Sequence, residues 1–407
     1  MKRIALCVLS LMISLFLISC ARRSPHPPWV LKISSMGPHA GPEEILKLPG
    51  GDSIPFSRLI EELAPSRIIF VGETHDQIEH HRIQEKVLLE LLRRGREVVV
   101  ALEMFQRSQQ SILDLWSQGA LTEGEFLKKI EWETTRGIDY SFYKRILDTI
   151  KEHRLKVLGL NIPKELTRKV AQTGIESLPL EDQRRLPEMD LTDRHHRRYI
   201  RSFYKTHQEG TAKDFEHFYQ AQCLWDEAMA ETLSDFLNSS EGEGKTVLVL
   251  AGNGHIVFDF GIPKRLHRRG SLPYQTIVLK EWKKEWDEDL FFSRAPQPLA
   301  DFLWITQPSS PHPKRPRIGI VLKERDDPKG IWIERVIPES PAEKAGLLPG
   351  DQILSANGKE VKELKDLHDA VTEKGWGNEM TLTILREALK REITVALPQT
   401  PPLGGRF

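Results

Sequence analysis

Between residues 67 and 279 five short, almost wholly apolar runs recur: Arg67–Val71, Val98–Leu102, Val157–Leu160, Thr246–Ala251 and Thr276–Leu279. Each is too short for a helix and lacks the alternation of a strand with one wet face, so each reads as a strand covered on both sides. Between the first two lies Ile78–Arg94, where Ile83, Val87, Leu88, Leu91 and Leu92 recur at helical spacing and Gly95 follows as a stop. Asp76, with Glu79 three residues on, reads as a capping arrangement for that helix, and His80 and His81 are expected on its solvent side. Strand, helix, strand in this order makes a βαβ unit. The expected fold is therefore α/β, a mostly parallel central sheet flanked by helices. Residues 165–237 read as a charged helical insertion of the kind that forms a lid over a sheet edge.

Three of the runs end in residues capable of chemistry. Gly72-Glu73-Thr74-His75 follows the first, Glu103-Met104-Phe105 the second, and Gly252-Asn253-Gly254-His255 the fourth. Open α/β sheets bind ligands beyond the carboxyl ends of their strands, so Glu73, His75, Glu103 and His255 are expected in one crevice. Residues 73 and 75 share a face if strand geometry continues, and Gly72, Gly252 and Gly254 are expected to let a ligand approach the backbone. Two carboxylates and two imidazoles can bind a divalent metal, act as an acid/base pair, or surround a cofactor, and the residues alone leave these alternatives open. No His-Glu-x-x-His zinc helix and no Cys-x-x-Cys-His haem attachment occurs.

The ends of the chain carry different signals. Lys2 and Arg3 precede an apolar stretch, Ile4–Ile18, and Leu17-Ile18-Ser19-Cys20 resembles a bacterial lipobox. Residues 1–19 then form a signal peptide, Cys20 carries lipid, residues 20–44 form a tether, and Ala21 in place of Asp favours the outer membrane, facing the periplasm. Of three cysteines only Cys223 would remain unmodified, so no intrachain disulfide is expected; Cys223 reads as a small buried residue. The 58 basic and 58 acidic residues balance, which argues against a nucleic-acid binder driven by bulk charge. The large domain is expected over 45–304 and a proline-rich linker over 305–316.

Residues 317–398 change character. Ser340-Pro-Ala-Glu-Lys-Ala-Gly-Leu-Leu-Pro-Gly-Asp-Gln-Ile-Leu-Ser-Ala-Asn-Gly358 resembles bacterial PDZ domains, small β-barrel-like sheets with helices. Asn357-Gly358 reads as a tight hairpin turn. The resemblance implies that the C-terminus of a protein or peptide adds as a strand at a sheet edge. Its carboxylate would be held by Arg317, Ile318, Gly319 and Ile320, beside a helix over Leu364–Lys374.

The motifs Gly72–His75, Leu102–Gln110 and Ala251–His255, together with Phe218–Ala230, resemble the ChaN-like haem-binding lipoproteins over about residues 45–290. That family belongs to a superfamily with the Tiki-type proteases and erythromycin-esterase-like hydrolases, which share Gly-Glu-x-His and use Glu and His for metal or acid/base chemistry. The resemblance implies noncovalent haem, a tyrosine on the iron with a histidine nearby, and a homodimer that sandwiches two haems. Tyr219 and Tyr143 are the first candidates, Tyr204 a third, with His75 and His255 as the imidazoles. It equally implies an alternative, a hydrolase using Glu73, His75, Glu103 and His255 as catalytic or metal-binding residues. A PDZ domain would recruit a protein partner in either case.

Overall fold

A computed structural model describes residues 42–132, 139–204, 214–282, 297–308, 316–326, 329–338 and 340–398. Cys20 and the lipobox lie outside the described residues, as do residues 309–315 of the linker. The chain divides into two compact units. One comprises residues 1–119 and 144–308; the other comprises 120–143 and 309–407. Residues 120–143, expected within the large domain, thus group with the C-terminal part of the chain.

The first unit is built on eight strands: β1 (Ile45–Lys47), β2 (Asp52–Ile54), β3 (Ile68–Glu73), β4 (Val98–Gln106), β5 (Val157–Asn161), β6 (Thr246–Gly252), β7 (Tyr274–Glu281) and β8 (Phe302–Thr306). Their order is β2-β1-β8-β7-β3-β6-β4-β5. The six from β8 to β5 are parallel, and the β1–β2 pair is antiparallel at one edge. Every residue of β3 and β6 is buried, as continuous apolar runs in a two-sided parallel sheet require. Ile305 and Thr306, expected in the linker, are the last residues of β8 and lie buried.

The helix after β3 spans Ile78–Arg93 and ends where Gly95, at φ 74°, donates to the carbonyl of Leu92. Its start differs from expectation. Gln77 occupies the N-cap position in extended geometry, so Asp76 and Glu79 are each one place out of register for a capping box. His80 and His81 are also not solvent-facing but 1 % and 2 % exposed. The reason lies in the helical period. They precede Val87 and Leu88 by seven residues, two turns, and so extend the buried stripe rather than oppose it.

The Phe215–Leu237 helix is no lid. Tyr219, Cys223, Met229, Ala230 and Leu233 are fully buried and share the main core with Phe70, Val249 and Ala251. Cys223 is buried as expected. No helix among the described residues is long and apolar enough to cross a membrane.

The second unit holds β9 (Ile320–Asp326), β10 (Lys329–Val336), β11 (Gln352–Ala356), β12 (Lys359–Glu360), a helix over Leu364–Lys374, β13 (Glu379–Arg386) and β14 (Leu389–Ala396). The antiparallel sheet runs β14-β13-β11-β10-β9 over a core of Ile331, Ile333, Ile353, Met380, Leu382 and Ile384. Asn357 and Gly358 turn β11 into β12 with both residues in the left-handed region, φ 49° and 78°, as the Asn-Gly pair predicts.

Candidate functional site

The strand order assembles the site. β6 lies between β3 and β4, so three adjacent parallel strands end side by side. Glu73 is in register with Gly252, and Leu102 with Leu250, which sets Glu103 close to the same rim. The backbone N–H of Gly252 donates to Glu103 Oε2 at 2.6 Å. A Cβ at residue 252 would lie 3.3 Å from His75 Nε2 and 3.5 Å from Glu103 Oε2. The glycine leaves room for those two side chains to come close over the end of β6.

His75 gives its Nδ1 edge to Glu73 Oε1 at 2.6 Å. Glu73, 4 % exposed, also accepts from Gln84 Nε2 at 2.7 Å, and His81 Nδ1 lies 3.6 Å from it. His81 Nε2 meets the carbonyl of His75 at 3.1 Å, and the N–H of Thr74 donates to His80 Nδ1 at 2.8 Å. The two histidines thus clamp the turn that carries His75. The His75 side chain is 32 % exposed, the most open member of the group. Burial opposes its positive charge, but the hydrogen bond and charge of Glu73, aided by Glu103 and Asp76, raise its pKa to about 9.

His255 also approaches Glu103, with Nε2 3.5 Å from Glu103 Oε1. Its Nδ1 donates to Asp226 Oδ1 at 2.7 Å. Burial again opposes the charge; Glu103 and Asp226 outweigh it, and the pKa rises to about 9 despite the repulsion of His75. Sequence reasoning missed Asp226. Its signal was present in Phe218–Ala230, where two adjacent acids, Asp226 and Glu227, stand in the apolar part of the stretch, between Cys223-Leu224-Trp225 and Ala228-Met229-Ala230. Both are buried, and Glu227 is held by Arg265, Arg268 and Arg269. The indole of Trp225 meets the His255 ring edge-on, 6.2 Å between centroids.

Glu73, His75, Glu103 and His255 therefore meet at one rim, as two imidazole–carboxylate pairs beside Gly252. Among the described residues no three His, Cys, Asp or Glu side chains gather in a geometry that could hold a metal ion. The glycines divide their roles. Gly252 admits side chains and Gly254 has open space beside it, whereas Gly72 makes room for Asn253, not for a ligand.

The tyrosines lie elsewhere. Tyr219 is fully buried, and its hydroxyl donates to the Asp193 carbonyl at 3.3 Å. Burial, then the neighbouring Cys223, pushes its pKa up, away from the phenolate that binds ferric iron. Tyr143 is 2 % exposed and belongs to the second unit, where it packs against Trp132. Tyr204 is half-buried against Phe215 and Phe218. Set against haem, the donor set fits through His75: an imidazole backed by a carboxylate on one nitrogen and partly open is the arrangement metal-binding histidines use. Neither Tyr219 nor Tyr143 presents its phenol in the same way.

In the second unit β9 is an edge strand, paired among the described residues with β10 alone. Ahead of it Arg317 is exposed and Ile318 buried. Gly319 adopts φ 83°, with no room for a Cβ beside Ser340. Ile320, half-buried, opens the strand.

Comparisons with known proteins agree with this architecture. The family model for haem-binding uptake, Tiki superfamily, ChaN matches residues 59–266, just over half of the chain, and the PDZ domain model matches 316–397. The first unit is similar in fold to a structure of cofacial heme binding to ChaN of Campylobacter jejuni, at 20 % identity and a TM-score of 0.50, covering 64 % of this chain and 95 % of that one. A probable periplasmic serine endoprotease DegP-like of Chlamydia trachomatis is 41 % identical over 76 residues, 19 % of this chain and 15 % of that protein. The periplasmic serine endoprotease DegP of Escherichia coli is 33 % identical over 75 residues, 18 % and 16 %. The chain thus spans about a sixth of the length of these curated relatives. It belongs to the haem-binding uptake family of the Tiki superfamily, ChaN, and carries a C-terminal PDZ domain.

Proposed function

We propose that this protein is an envelope lipoprotein, held through Cys20 on the periplasmic face of the outer membrane, that binds haem noncovalently in iron or haem acquisition and recruits a protein partner through its PDZ domain. The observation that carries the haem reading is His75: a partly exposed imidazole fixed on Glu73, at the strand ends where ligands of such sheets bind. Bound haem would supply an iron centre for ligation and redox chemistry. The Campylobacter relative binds heme cofacially, which supports a homodimer of this chain with two haems between protomers. The lipobox residues support the anchor, and the open edge of β9 supports an extended peptide ending in a free carboxylate.

Haemin titration of the detergent-solubilised full chain tests the haem reading, with His75→Ala and Tyr219→Phe beside the parent. A saturable shift of the Soret band, lost in His75→Ala and kept in Tyr219→Phe, supports it. No saturable shift, or a shift indifferent to His75, overturns it.

A second reading draws on Glu103, whose charge acts on both imidazoles. That grouping suits acid/base hydrolysis, with His75 or His255 giving or taking a proton at a substrate held over Gly252. Turnover of an ester or peptide probe library lost in Glu103→Gln would favour it.

A further inference from the structure

The Phe215–Leu237 helix brings to the strand ends a carboxylate that belongs to none of the three strand-end motifs. We infer that Asp226 is the positioning residue of the site: by accepting from His255 Nδ1 it fixes the ring so that Nε2 is aimed at Glu103. The inference rests on the reading above that a ligand binds at this rim.

The support is built in depth. Asp226 is 2 % exposed, and its Oδ1 meets His255 Nδ1 at 2.7 Å. Its other oxygen faces His196 Nε2 at 3.7 Å and Arg265 Nη1 at 3.9 Å. Arg265 is in turn pinned by Glu227 at 3.2 Å and donates to the Phe260 carbonyl at 2.5 Å. Two other helices, Arg194–Tyr204 and Ile262–Arg269, thus back the carboxylate from behind, and the ring it holds has one orientation. Which nitrogen of a histidine faces a ligand is set by the hydrogen bond the other nitrogen makes.

The backbone is arranged for the same contact. A Cβ on Gly261 would come within 2.9 Å of Asp226 Oδ1 and would overlap the carbonyl of His255. Residue 261 therefore lacks a side chain where the helix and the His255 loop must touch. Packing alone does not account for a carboxylate there. Leu224, Ala228, Met229 and Ala230 fill the surrounding helix surface, and an ionised group removed from water is costly unless its partners repay it. Asp226 meets that condition through its hydrogen bond with His255 and the charge of Arg265.

The detergent-solubilised full chain, labelled with 15N in its histidines, gives two readouts. The first is the ring proton shared by His255 and Asp226. A strongly downfield imidazole proton is expected in the parent, absent in His255→Gln, and displaced in Asp226→Asn while the other histidine protons stay in place. The second is haemin affinity in the parent, His255→Gln, Asp226→Asn and the double variant. Each single change is expected to weaken binding about tenfold or more, the range seen when the support of a ligand-binding histidine is removed. Because Asp226 acts through His255, the double variant should bind no worse than His255→Gln.

Losses that multiply in the double variant, or a ring proton unmoved in Asp226→Asn, overturn the inference. Should Asp226→Asn fail to fold, Asp226→Glu keeps the charge but shifts the carboxylate, and the same proton is read: moved supports the role, unmoved overturns it. The functional reading fails separately, if His75→Ala leaves haemin affinity unchanged; the ring proton alone then decides the role of Asp226.

Discussion

The side-chain oxygen of Asn253 lies where a Cβ on Gly72 would have to be, and the amide of Asn253 donates to the carbonyl of Leu279 at 2.8 Å. The asparagine that follows β6 thereby crosses the end of β3 and ties down β7. Gly72→Ala is expected to displace Asn253 and to destabilise the first unit by about 1–3 kcal/mol, the usual cost of overfilling a packed site. Urea denaturation of the parent and variant reads this directly; an unchanged midpoint would contradict the packing seen at Gly72.

His75 and His255 both carry a folded-state pKa near 9, above the value of about 6.5 for an unperturbed histidine. The folded state therefore holds protons that the unfolded chain releases. Their contribution to stability is complete below about pH 6.5 and is lost as pH rises through about 9. Chemical denaturation between pH 6.5 and 9 should show stability falling with pH. The fall should flatten in the His75→Gln, His255→Gln double variant, and an equal slope in both proteins would count against these charges.

Gln84 supplies a hydrogen bond to buried Glu73 at 2.7 Å and also reaches the Val71 carbonyl. Gln84→Leu keeps the bulk and removes the donor. It is expected to cost about 1–3 kcal/mol, because a buried carboxylate oxygen is left short of a partner. It should also weaken haemin binding, since Glu73 is what orients His75. Denaturation and haemin titration check the two effects, and binding unchanged at lowered stability would separate Glu73 from ligand binding.

In the second unit Asp351, 1 % exposed, takes a bidentate pair of bonds from Arg386 at 2.6 Å each and also accepts the N–H of Leu348 at 2.9 Å. Asp351→Ala removes both bonds and opens the turn before β11. A loss of about 1–3 kcal/mol is expected, since Arg386 is partly open to solvent and keeps its bond to the Gly346 carbonyl. Thermal unfolding of the full chain should show an early transition, and its absence would make the pair dispensable.

If the C-terminal domain takes a peptide on the open edge of β9, the terminal carboxylate must meet the loop ahead of Ile320. Peptides with an apolar last residue and a free carboxylate should bind about tenfold more tightly than their amides, the difference a charged hydrogen-bonding group makes. Fluorescence polarisation with the paired peptides measures this, and equal affinities would place binding elsewhere.

The five apolar runs of the first unit and the helix after β3 were legible because continuous burial and a 3.6-residue period are written in local composition. The Asn357-Gly358 turn was legible because two consecutive left-handed residues require it. The burial of His80 and His81 is written in their seven-residue spacing to Val87 and Leu88 and runs against their polarity. The Phe215–Leu237 helix, part of the charged stretch 165–237 for which a lid was one option, is core; its buried Glu227 is matched by Arg265, Arg268 and Arg269, which arrive from another helix.

The sequence by itself determined that five segments become strands, and that three of them lead into a carboxylate or an imidazole. Only the tertiary structure decided that β6 enters between β3 and β4, so that Glu73, Gly252 and Glu103 stand side by side, and that Asp226 comes from a distant helix to hold His255. The physical reason is that periodicity reports how deeply a segment is buried. Strand order and the partners of a buried charge are set by pairings between residues far apart in the chain, which no local pattern encodes.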